Sequence, residues 1–175
     1  HSGSNTWYGQ GKLLVLFDVS SGDINKQIFI DELKDPLREF VDAVGIEFQS
    51  EILANDSKFV SVRKTDADRW FLFTNIFTSH QSVKNLAKHE ERVPVLFFQS
   101  GHLIVNKNKK PWKAFETIRA LPNSFVDINK NYQYDPDTEK RKSYAIGAAA
   151  VIPASGKKSP TGQKHEGRVL VFADA

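Results

Sequence analysis

Apolar residues in this chain fall into short runs separated by polar turns. Lys12-Leu-Leu-Val-Leu-Phe17 is apolar on both faces and is closed by Asp18-Val-Ser-Ser-Gly22, the pattern of a buried parallel strand. From Asp31 to Val44 the positions Leu33, Leu37, Phe40, Val41 and Val44 recur at helical spacing. Pro36 stands near the start of that helix and Gly45 at its C-cap. Ile46-Glu-Phe48 leads out into an extended segment. Lys58–Arg63 and Arg69–Thr74 read as short strands around a polar turn, and Ser79–His89 as a short helix. Arg92–Phe98 and Gly101–Val105 read as further strands, whereas Trp112–Leu121 fits helix or strand equally. The polar stretch Asn123–Lys142 precedes two last strands, Tyr144–Ile152 and Gly167–Ala173, joined by a Gly-, Lys- and Ser-rich connector. Strands alternating with helices predict an α/β domain built of βαβ units with a mostly parallel sheet. The strand beginning at Lys12 is expected at or near its middle.

Composition narrows this picture in a few places. At 175 residues the chain suits one domain, expected over residues 11–175. Residues 1–10 read as a tag remnant or linker, and the absence of methionine implies a fragment of a longer protein. With no cysteine there is no disulfide, no zinc–thiolate site and no thiol nucleophile. No stretch reaches the ~20 apolar residues of a membrane-spanning helix. The net charge of +3 is uneven: residues 1–60 carry ten acids and five bases, residues 61–175 eleven acids and nineteen bases. Bases gather at Lys107, Lys109, Lys110 and Lys113, at Lys140–Lys142, and at Lys157, Lys158 and Lys164. Such runs are ordinarily solvated loops, and without interleaved aromatics they do not point to nucleic acid. An anionic surface such as lipid headgroups is the functional alternative.

Candidate chemistry is sparse. No histidine pair has zinc-ligand spacing and no Gly-x-Ser-x-Gly elbow occurs. Asp18, Ser20 and Ser21 follow the first strand, and Ser100 and His102 flank the turn at Gly101, so all five are candidates for a crevice at the carboxyl edge of the sheet. The segment Asp127-Ile-Asn-Lys-Asn-Tyr-Gln-Tyr-Asp-Pro-Asp-Thr-Glu139 places oxygen-bearing side chains at alternate positions, as a calcium loop does. Its candidate ligands are Asp127, Asn129, Asn131, Gln133, Asp135 and Glu139. Tyr132 stands where such a loop turns on glycine, and Glu139 falls one residue late. The competing reading is an Asn/Asp-rich turn whose side chains cap their own backbone, with Asn129 and Asn131 accepting left-handed conformations.

Several segments, taken in order, resemble the extracytoplasmic domains of gliding-motility-type ABC transporter auxiliary proteins. They are Asp35-Pro-Leu with Gly45-Ile46, His80–Leu86 followed by Val93–Phe98, Leu121–Val126, Tyr134-Asp-Pro136, Tyr144–Ala149 and Gly167–Asp174. The resemblance covers roughly residues 11–175. It implies a three-layer, flavodoxin-like sheet akin to class I glutamine amidotransferases without their catalytic cysteine, in agreement with the cysteine-free composition. It also implies a periplasmic or periplasm-facing, membrane-anchored protein with membrane or envelope protein partners. The function expected from it is non-catalytic binding or interaction. The alternative is a hydrolase or carbohydrate-active enzyme using Asp18, Ser100 or His102.

Overall fold

The computed structural model describes residues 11–19, 35–152 and 166–174. Ser20 and Ser21 lie outside these residues. Eleven strands are described: β1 Lys12–Leu16, β2 Ile46–Gln49, β3 Leu53–Ala54, β4 Phe71–Thr74, β5 Ile76–Phe77, β6 Val95–Phe98, β7 His102–Val105, β8 Lys113–Arg119, β9 Phe125–Val126, β10 Ala145–Ile152 and β11 Gly167–Phe172. Two α-helices accompany them, α1 Pro36–Ala43 and the single turn α2 Lys84–Ala87, with a 3₁₀ segment at Asp66–Trp70. The helix read from Asp31 onward is described from Pro36, residues 31–34 lying outside the described residues. Asp35 caps it by accepting the Leu37 amide at 2.9 Å, and Pro36 occupies the first turn, where its missing N–H costs nothing. The chain leaves the helix through Gly45 at φ 90°, a left-handed conformation that glycine adopts without strain.

The main sheet overturns the expected flavodoxin-like architecture. It runs β1-β11-β10-β7-β2, with β8 also pairing β10 and β5 pairing β8. Only β1 and β11 are parallel; β10 with β11, β8 and β7, and β2 with β7, are antiparallel. Two ribbons, β3 with β9 and β4 with β6, complete a mostly β, mixed sheet architecture rather than three α/β layers. Connection length is one reason. Residues 106–112 are all that join β7 to β8, well short of the dozen or more residues of a helical crossover.

Among the described strands β1 lies at the edge of the sheet, not at its centre. Val15 and Phe17 enter the core, but Leu13, Leu14 and Leu16 are 42%, 60% and 51% exposed. The central strand is β10, buried from Ala145 to Ala150. Its alanines let neighbouring layers approach closely, and Val171, Val169, Ile118 and Ile46 pack around it. A second cluster of Ile52, Ala54, Trp70 and Phe125 sits beneath Tyr132 and Tyr134. Lys58–Arg63 is not a strand. It wraps around Asp68, whose carboxylate accepts the amides of Val62, Arg63 and Lys64.

Candidate functional site

Among the described residues at the carboxyl edge of the sheet, Ser100 and His102 do not hydrogen-bond each other. Ser100 is fully buried, and its hydroxyl lies 2.9 and 3.0 Å from the carbonyl oxygens of Gly101 and Ala173, so it ties the β6–β7 turn to the end of β11. His102 faces elsewhere, edge-on to the Tyr144 ring at 5.0 Å. Its Nδ1 is buried without a hydrogen-bond partner. Burial pushes the imidazole pKa down, the Glu51 carboxylate opposing and the Lys142 ammonium assisting. Asp18 is exposed just past β1. The β1–β11 register sets it beside Asp174, a residue the sequence reading passed over. The Asp174 carboxylate accepts the Phe98 amide at 3.0 Å. Burial is the main cause that holds its pKa above the usual range, and the Asp18 charge adds to it. A carboxylate pair at the ends of two parallel strands was legible only once that pairing was known.

The oxygens of the Asp127–Glu139 loop are turned onto the loop's own amides. Asp127, 1% exposed, accepts Trp70 Nε1 at 2.8 Å and the main-chain amides of Asn131 and Tyr132 at 3.0 Å each. Glu139, also buried, accepts the amides of Ile128 and Asp135 at 3.0 Å each. The Oδ1 atoms of Asn129 and Asn131 each accept the amide two residues on. Their amino groups both donate to Asp135 Oδ2, at 2.6 and 3.1 Å. Gln133 is exposed. The left-handed residues are Lys130 and Tyr132, not the asparagines. A calcium cage needs these oxygens to converge on one point. As arranged they point at N–H groups, and among the described residues no group of three or more His, Asp or Glu is placed to hold a metal. The loop is further pinned from outside, because Arg69 donates to the Tyr132 carbonyl and Arg141 lies 4.0 Å above the Tyr134 ring.

A concavity among the described residues lies at the other end of the sheet. A trough of about 570 Å³ is floored by Leu14, Leu170 and Ala149 and walled by His80, Gln81 and Ser82, with Lys12, Glu166 and Arg168 at its rim. The floor follows from register. Leu14 pairs Leu170, Leu170 pairs Ala149, and Ala149 pairs Phe115, giving an apolar row across four strands on one face. On the wall, His80 Nδ1 lies 2.8 Å from Ser82 Oγ and also accepts the Ser82 amide at 3.2 Å. A nitrogen that accepts an amide proton carries none itself, so Nε2 holds the ring proton. Burial lowers the His80 pKa, and the charge of Arg168 lowers it further. This is a neutral imidazole beside a hydroxyl, in a turn that the sequence read only as helix. Among the described residues no carboxylate hydrogen-bonds His80. The trough opens at the amino ends of β1 and β11, opposite to the crevice expected at Asp18, Ser100 and His102.

No family model and no curated protein matches this chain. Among solved structures the chain is similar to one described as "mmIFT52 N-terminal domain", with a TM-score of 0.53 and 10% identity, covering 94% of this chain and 54% of that one. At that identity the likeness is one of fold. The chain spans about half the length of that neighbour.

Proposed function

We propose that the chain is a non-catalytic binding domain of a bacterial envelope assembly associated with an ABC transporter, acting on the periplasmic side. One observation carries the binding reading: the apolar row across β1, β11, β10 and β8, which is exposed at its two ends, Leu14 and Phe115. Leu14 and Leu16 are more than half exposed on an edge strand, and Phe115 is 40% exposed at the far end of the row. Exposed apolar surface forgoes about 25 cal/mol per Å² that a partner would recover. Natural edge strands are ordinarily blunted by charge rather than lined with leucine. The polar candidates are meanwhile occupied as structural braces, Ser100 by two carbonyls and the Asp127 and Glu139 carboxylates by backbone amides. Assignment to a transporter assembly rests on the order of the sequence motifs that resemble its auxiliary proteins.

The second reading, a hydrolase, draws on the His80–Ser82 contact in the trough wall. An imidazole within hydrogen-bond reach of a hydroxyl is the first requirement for an activated nucleophile. The Ser82 amide on the same nitrogen marks it instead as a turn cap. Assays against ester, amide and glycoside substrates separate the two. The binding reading expects no turnover, and turnover lost in a folded Ser82→Ala variant would replace it with the hydrolase.

A further inference from the structure

The register that builds the trough also gathers positive charge at one end of the sheet. Lys12 pairs Arg168, Arg168 pairs Val151, and Val151 pairs Lys113, so three cations share one cross-strand row at the amino ends of β1, β11 and β8. At ~4.8 Å between strands that row is about 14 Å long. The exposed β7–β8 connector adds Lys107, Lys109 and Lys110. Two contacts hold it at this end: a Cβ on Gly45 would meet the Lys109 side chain at 2.9 Å, and a Cβ on Gly167 would meet the Trp112 ring at 3.6 Å. Facing these six cations are Glu166, paired to Arg168 at 3.0 Å, and Asp42 and Glu47 beside Lys109. The opposite end of β1 and β11 carries Asp18 and Asp174. The cations of this row and connector thus gather at one end of these two strands, while Lys140, Arg141 and Lys142 precede β10 at the other end.

We infer that this basic end is a docking face for an anionic lipid surface, with the β7–β8 connector foremost. Five of its six cations are lysines, point charges that suit an array of headgroups without fixed geometry. Nucleic-acid faces add aromatic platforms and arginine forks. Here the one aromatic residue of the connector, Trp112, is half-buried against the strand ends. An indole at the boundary of a basic tip suits a membrane–water interface. The gathering of six cations orients the approach by drawing this face toward the surface. This inference goes beyond the binding function proposed above and does not depend on it, since an enzyme could dock in the same way.

Vesicle co-sedimentation of the 175-residue chain tests it. Phosphatidylcholine vesicles are compared with vesicles in which about a third of the lipid is phosphatidylglycerol, at low and high salt. The expected result is binding to the anionic vesicles alone, weakened by salt. K107E/K109E/K110E should lower the partition by at least about a hundredfold, since each lost basic residue contributes about fivefold and each glutamate adds repulsion. The control K84E/K88E/R92E makes the same change of net charge on the exposed α2 region and should retain most of the binding. Circular dichroism confirms that each variant is folded. Absence of binding to anionic vesicles, or equal loss in both triple variants, would overturn the inference. So would tight binding to a single-stranded oligonucleotide with none to vesicles.

Discussion

Asp174 and Asp127 differ in the hydrogen bonds their carboxylates accept. Asp174 accepts one amide and stands beside Asp18, so its charged form is disfavoured in the folded state. A folded-state pKa above the unfolded value contributes stability that is complete below about pH 4 and is lost as pH rises through the folded pKa. Asp174→Asn keeps an acceptor for Phe98 and loses the charge. It should match the parent protein at low pH and exceed it at pH 7 by up to about 1 kcal/mol, a figure discounted for the residue's partial exposure. Thermal melts across pH read this, and a constant difference at every pH would refute it. Asp127 has three N–H donors around its charge. Asp127→Ala would orphan the buried Trp70 N–H and should cost about 2–4 kcal/mol. Because the loop oxygens are already satisfied by amides, excess calcium should leave the melting midpoint where chelator leaves it. A midpoint that climbs with free calcium would show that the loop rearranges around an ion.

At the scale of elements, what could be read in advance was what local chemistry decides. Pro36 near the start of α1 and its Gly45 exit, and the β6, β7, β10 and β11 runs, are all local patterns, whereas the Asp35 cap was not read from the sequence. The undecided segment from Trp112 became β8 because β10 offered it a full antiparallel ladder. The Lys58–Arg63 run failed as a strand because Asp68 captured its amides. Leu13–Phe17 misled in a different way, since a run apolar on both faces reads alike in a central strand and in an edge strand with an uncovered face. The candidate site was hidden for the same reason. Leu14, Leu170, Ala149 and Phe115 are far apart in sequence and meet only through register. Gly45 tests how tightly the α1–β2 corner is set. An added methyl group would sit 2.9 Å from the Asn106 carbonyl oxygen at a φ that L side chains resist. Gly45→Ala should therefore cost about 1–3 kcal/mol in denaturant unfolding. A cost under ~0.5 kcal/mol would mean that the corner yields.

Over the whole molecule, polarity and apolar exposure have separate places. Acidic residues end β1 and β11 at one pole, where Lys140, Arg141 and Lys142 precede β10, and six cations gather at the other. Between them runs the face of Leu14, Leu170 and Phe115 that the proposed binding function uses. The most direct measurement replaces Leu14 with a photo-crosslinking amino acid in cells of the source organism and resolves the adducts by mass. A binding domain predicts a discrete protein adduct from this position, recovered with the envelope. The same probe at Asp137, exposed on the polar loop, should give none. No adduct at Leu14, or the same adducts from both positions, would contradict the account.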